Sequence, residues 1–191
     1  MVGFNKQSMS NKYRGMTIAE AAELRGESPE EAIVNLIIED GSRIQCIYFS
    51  MSEENVRKKI MLPWVSFDSD AGSYSDISKD FITHPRAFGS FARVLGKYVR
   101  DEKLITMEEA IRRLTGFPAN NLGIKNRGYL KPGYFADVVV FDPELIEDKA
   151  TFEKPLQFAV GVEDVFVNGI QVLSGSEHTG EYPGRFVKGA G

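Results

Sequence analysis

Cysteine and histidine are scarce in this sequence. One cysteine, Cys46, stands among 191 residues, which excludes an internal disulfide and fits a reducing compartment. Two histidines, His84 and His178, stand far apart in the chain, too few for a self-contained metal site built on several histidines. Charge of one sign is also lacking. Twenty-three basic residues against 27 acidic ones leave a net charge of −4, which gives no electrostatic footprint for nucleic acid or an anionic membrane. No apolar run approaches the ~20 residues of a membrane span. The opening MVGFNKQSMSNKYRGM has no continuous apolar core with a cleavage site after it. A soluble, cytoplasmic protein is expected.

What is present argues for a folded domain. The chain is 42% hydrophobic and 11% aromatic, enough for a sizeable core and against disorder. Capping boxes mark helix starts at Thr17 with Glu20, Ser28 with Glu31, and Thr106 with Glu109. The Ser28 helix carries so broad an apolar stripe (Ala32, Ile33, Val34, Leu36, Ile37, Ile38) that packing between layers is expected, with Asp40-Gly41 ending it.

Residues 43–49 and 64–67 have strand composition, and Ser52 caps a short helix between them, the βαβ rhythm of a parallel sheet. After His84-Pro85-Arg86 a helix is expected through Phe91, Val94, Leu95, Tyr98 and Val99. From about residue 125 the pattern becomes β-rich: a Lys131-Pro132-Gly133 turn, a strand over 136–141, and two strands flanking the hairpin signal Asn168-Gly169. Residues 178–191 are Gly-rich and expected to be extended. The organisation is therefore an α/β portion over 1–125 and a small β portion over 126–191.

Asp70 is the first candidate for chemistry. It follows an expected strand, at the rim where α/β sheets keep functional groups, and a carboxylate there can move a proton between water and a leaving amine. Aspartates after strands are more often turn or cap residues, so spacing alone does not select that role. Asp68-Ser69-Asp70 opens like a calcium loop, but Gly72, Ser73 and Lys79 break the pattern. Arg86 admits two readings, a two-pronged donor to a substrate carboxylate or a helix-entry residue tied to a neighbouring acid. Cys46 reads as a buried, inert thiol and His178 as a surface residue. No nucleophile elbow, phosphate loop or Cys-x-x-Cys is present.

Residues 65–71, His84-Pro85-Arg86 and Phe91-Ala92-Arg93-Val94-Leu95-Gly96 together resemble the N-acyl-D-amino-acid deacylase (D-aminoacylase) branch of the metal-dependent amidohydrolase superfamily. So do residues 127–133, 136–141 and 167–169, and the tail elements His178-Thr179-Gly180 and Pro183-Gly184-Arg185. The resemblance runs from about Tyr13 onward. It implies an α/β fold: the C-terminal part of a (β/α)₈ amidohydrolase barrel, its last strands and helices, followed by a small β-rich subdomain of β-sandwich type. It also implies zinc in the full-length enzyme, an N-acyl-D-amino acid as small-molecule substrate, and Asp70 as general base and then general acid. Asp70 is a possible metal contact in that full enzyme, with no metal site expected in this chain alone.

Asp68 departs from the pattern, which usually has a small residue there. A barrel takes ~250 residues, so the remaining ligands are expected upstream, and the isolated chain is expected to be inactive. Two other readings stand beside this one. The chain is a non-catalytic interaction module that self-associates, or it is one half of a split enzyme that needs an upstream barrel partner.

Overall fold

A computed structural model describes residues 1–72 and 83–189. Seven α-helices, a π-helical turn and four strands form among them. They divide into two units, the first built mainly on Met1–Ser50 and the second on Met51–Ser73 with Pro85–Gly191.

The first unit holds α1 (Gln7–Tyr13), α2 (Ile18–Arg25) and α3 (Pro29–Asp40). Both expected capping boxes form: the Thr17 and Ser28 hydroxyls accept from the Glu20 and Glu31 amides, and each glutamate reaches back to the cap amide. Gly41 ends α3 in the left-handed conformation, as expected. Met1, Met9, Tyr13, Ala21 and Leu36 make the core.

Asp40 is fully buried at the end of α3. It accepts from the Asn5 and Lys6 backbone amides, both at 2.9 Å, and from the Ser42 hydroxyl, so a side chain fixes the entry to α1. Burial alone would push its carboxyl up, but these donors outweigh burial and hold it below the usual carboxylate range. The expected packing of α3 between layers is corrected. Ala32 and Leu36 are buried, whereas Ile33, Val34, Ile37 and Ile38 are exposed, because the described residues of this unit supply only one packing surface.

The expected strands over 43–49 and 64–67 are corrected too. Residue 45 makes only an isolated antiparallel bridge to Gly3, residues 64–67 join no sheet, and no parallel pair forms among the described residues. A lone parallel strand has no ladder to satisfy its backbone, so composition alone does not make a strand. Tyr48 and Phe49 are accordingly exposed rather than covered, and Cys46 is half-buried.

The second unit opens with α4 (Glu53–Ile60), capped by Ser52 as expected. Helix α5 (Arg86–Arg93) enters at Pro85 and runs directly into a π-helix, Val94–Asp101. Helices α6 (Met107–Leu114) and α7 (Gly116–Asn121) follow. The third expected box forms only by half: Thr106 accepts from the Glu109 amide, but the Glu109 carboxylate takes Arg112 instead.

Strands β1 (Val138–Phe141), β2 (Val162–Val167), β3 (Ile170–Ser174) and β4 (Glu177–His178) make one antiparallel sheet in chain order. Val138 faces Phe166, and Val167 faces Ile170 across the hairpin. Asn168 and Gly169 both have positive φ, 51° and 82°, the type I′ geometry that matches strand twist.

Helices and sheet of this unit share one core. Ala92, Val94, Leu95, Val99, Ala110 and Ile146 are buried together, with Phe67, Phe141 and Val162 packed against them. Gly96 permits the contact, since a Cβ there would run into the Ile146 carbonyl. Arg100 donates to that same carbonyl at 2.7 Å. Beyond β4, residues 179–189 form no regular element.

Candidate carboxylate–arginine site

The segment that carries Asp70 descends from α4. Ile60 ends that helix buried, the chain turns at Pro63-Trp64, and residues 65–70 run on without regular structure. Beyond the turn bond from the Val65 N–H to the Leu62 carbonyl at 3.1 Å, no backbone ladder holds this segment among the described residues. Arginines on α6 do: Arg113 Nη1 donates to the Ile60 carbonyl at 2.6 Å, Arg113 Nε to the Val65 carbonyl at 2.5 Å, and Arg112 Nη2 to the Pro63 carbonyl at 3.0 Å.

Asp70 itself sits at φ 47°, a left-handed conformation that aspartate tolerates better than most residues. Its side chain is 80% exposed. Arg86, the first residue of α5, stands 45% exposed and donates through Nη2 to Asp70 Oδ2 at 2.6 Å. The two sequence candidates are therefore brought together. Of the two readings of Arg86, the tie to a neighbouring acid is the geometry found, and that acid is Asp70. Asp68 is exposed and takes no part in the pair.

Other candidates fall outside. His84 is half-buried and belongs to the first unit. His178 is exposed in the β4 turn, where its Nδ1 accepts from the Gly180 amide at 2.9 Å and its ring lies 5.2 Å from that of Tyr182. Ser73 and Lys79, part of the calcium-loop test, and residues 73–76 of the acidic turn lie outside the described residues.

Among the described residues, no three His, Cys, Asp or Glu side chains gather as metal ligands do. The described residues do not by themselves gather the three or four such ligands that a zinc ion takes. No helix among the described residues is long and apolar enough to cross a membrane.

Sequence reading passed over Arg113. Arg113 flanks the apolar face of Met107, Ala110, Ile111 and Leu114 beside Arg112, where a cation reads as a solvated residue, so residue type alone carried no signal.

The model of the amidohydrolase family matches residues 6–173. The chain belongs to that family. A D-aminoacylase from Alcaligenes xylosoxydans xylosoxydans is 38% identical over 173 residues, covering 91% of this chain and 34% of that protein. Among solved structures, a D-aminoacylase described as defining a novel subset of amidohydrolases superposes with a TM-score of 0.82 at 34% identity, over 97% of this chain and 37% of that one. An N-acyl-D-glutamate deacylase from Bordetella bronchiseptica, complexed with zinc and a phosphonate mimic of the tetrahedral intermediate, gives 0.76 at 37% identity, over 88% of this chain and 34% of that one. This amidohydrolase chain spans about a third of the length of the relatives it matches.

Proposed function

We propose that this chain is the C-terminal portion of a cytoplasmic, zinc-dependent N-acyl-D-amino-acid deacylase, with residues 1–125 completing a barrel and 126–191 forming its small β subdomain. The observation that carries the reading is the Asp70–Arg86 pair at 2.6 Å, which sets a proton-transfer group beside a carboxylate-recognition group. An N-acyl amino acid needs both. Asp70 Oδ2 takes the proton of the attacking water and returns it to the amide nitrogen as the C–N bond breaks, giving a carboxylate and a free amine. Arg86 offers its planar fork of N–H donors to the substrate's own carboxylate. The two roles are compatible, because an exposed ion pair is held by no more than about 1 kcal/mol and exchanges readily for a better carboxylate. Zinc would be held on this reading by residues outside this chain, with Asp70 the contact that this chain would add, and would activate the attacking water.

A split-enzyme or self-associating state is favoured by specific surfaces. Ile33, Val34, Ile37 and Ile38 of α3 are exposed in the first unit, and Trp64 is exposed in the second. The four α3 residues form a contiguous apolar stripe within the first unit, and such a surface marks an interface. A barrel half carrying the metal ligands is the expected occupant.

Co-expression with such a half tests the reading. The expected result is release of D-amino acid from N-acetyl-D-amino acids by the pair and none by the chain alone. Turnover by the chain alone, or by a pair carrying Asp70→Asn, contradicts it.

A further inference from the structure

Arg113 is the largest fully buried side chain described, on a helix whose task would be served by an apolar residue. Arginine does not lose its proton in a protein, so a full charge is buried here and must be compensated. Among the described residues no carboxylate pairs with it. Two main-chain carbonyls five residues apart, Ile60 and Val65, point at its Nη1 and Nε, and its guanidinium lies 4.5 Å from the Phe67 ring centroid. Nη2 is buried and finds no acceptor among the described residues. Burying a cation carries a desolvation cost, which the two carbonyl bonds and the Phe67 face offset. What it adds is geometric: both carbonyls must turn inward at once, which fixes the path of the chain from Ile60 to Phe67. Asp70 follows three residues later.

We propose that Arg113 is a positioning residue, whose guanidinium replaces the missing backbone ladder of residues 60–67 and thereby sets where Asp70 meets Arg86. The inference rests on the reading of Asp70 as the functional carboxylate, and it assigns that site's support to α6. Phe67 contributes by bearing the cation on its face while packing into the shared core. Lysine cannot replace Arg113, since an ammonium has no planar fork to hold two separated carbonyls.

The test uses the full isotope-labelled chain and compares Arg113→Lys with Val99→Ala, a core variant of the same unit. Amide shifts and the HN–Hα coupling of Asp70, with water exchange at the Arg86 guanidinium, are read by NMR at equal loss of Tm. The expected result for Arg113→Lys is loss of the left-handed coupling signature at Asp70 and about two- to fivefold faster Arg86 exchange, with both retained in Val99→Ala. Asp70 signals that stay in place in folded Arg113→Lys, or that move equally in both variants, overturn the proposal. Phe67→Leu keeps the test decisive if the lysine variant does not fold. The same signals then shift in the same direction by less, and their failure to shift overturns the proposal. No readout depends on hydrolysis, so an Asp70 that moves with Arg113 while Asp70→Asn leaves deacylation intact would sink the functional reading and not this one.

Discussion

The antiparallel sheet over 138–178 and the segment over 60–67 solve the same problem in opposite ways. In the sheet each strand lies against a neighbour, β2, β3 and β4 through short turns and β1 across a longer connection, so main-chain N–H and C=O groups pair along registers that set Val139 opposite Val165, Val165 opposite Leu173 and Leu173 opposite His178. Residues 64–67 have no neighbouring strand, and side chains of α6 take the carbonyls of Ile60, Pro63 and Val65 along this stretch instead. Asp40 does for the entry to α1, in the first unit, what Arg113 does for 60–67, using a carboxylate for amides where Arg113 uses a guanidinium for carbonyls. A ladder spreads its hydrogen bonds over many residues, whereas a clamp concentrates them on one side chain. Clamped segments should therefore fail at single positions and ladders should not.

The largest expected effect is at the clamp. Arg113→Met leaves two buried carbonyls unpaired and should cost about 3 kcal/mol in urea unfolding. Most of the loss of amide protection should fall on 60–67 and little on the sheet. Next is a turn position on which the sheet depends: Gly169→Val forces a β-branched side chain to φ 82° and should cost about 1–2 kcal/mol, with the ladder shielding the remaining strands.

The two clamps should then separate under acid. Asp40 has a folded carboxyl held below its unfolded value, so its contribution is complete above that unfolded value and is lost as pH falls through the folded one. Titration from pH 5 to pH 2 should loosen the entry to α1, followed by exchange at the Asn5 and Lys6 amides, while the arginine clamp persists. Asp40→Asn should flatten this pH dependence. The smallest effect on stability is expected for Asp70→Asn, within about 0.5 kcal/mol by thermal unfolding, because the exposed Asp70–Arg86 pair supports little of the fold.

Local signals carried far in the sequence. Thr17, Ser28, Ser52 and Thr106 marked their helix starts, Gly41 marked a stop, and Asn168-Gly169 marked the hairpin, because each acts through atoms within a few residues. Asp70 and Arg86 were legible as separate candidates from residue type and place. Their pairing was not, since the intervening chain hides a contact sixteen residues apart. Residues 43–49 and 64–67 misled for a different reason: strand composition states a preference, and a ladder needs partners that the described residues do not supply. Arg113 escaped notice because its acceptors are main-chain carbonyls about fifty positions away, which leave no mark on side-chain identity.

Under the proposed function, Asp70 is the group that moves the proton. The direct measurement is kcat for N-acetyl-D-amino acid hydrolysis by the chain paired with a metal-bearing barrel half, wild type against Asp70→Asn. A fall of roughly 100-fold or more is predicted, with the pair still assembled and its Tm unchanged. An unchanged kcat would contradict the account.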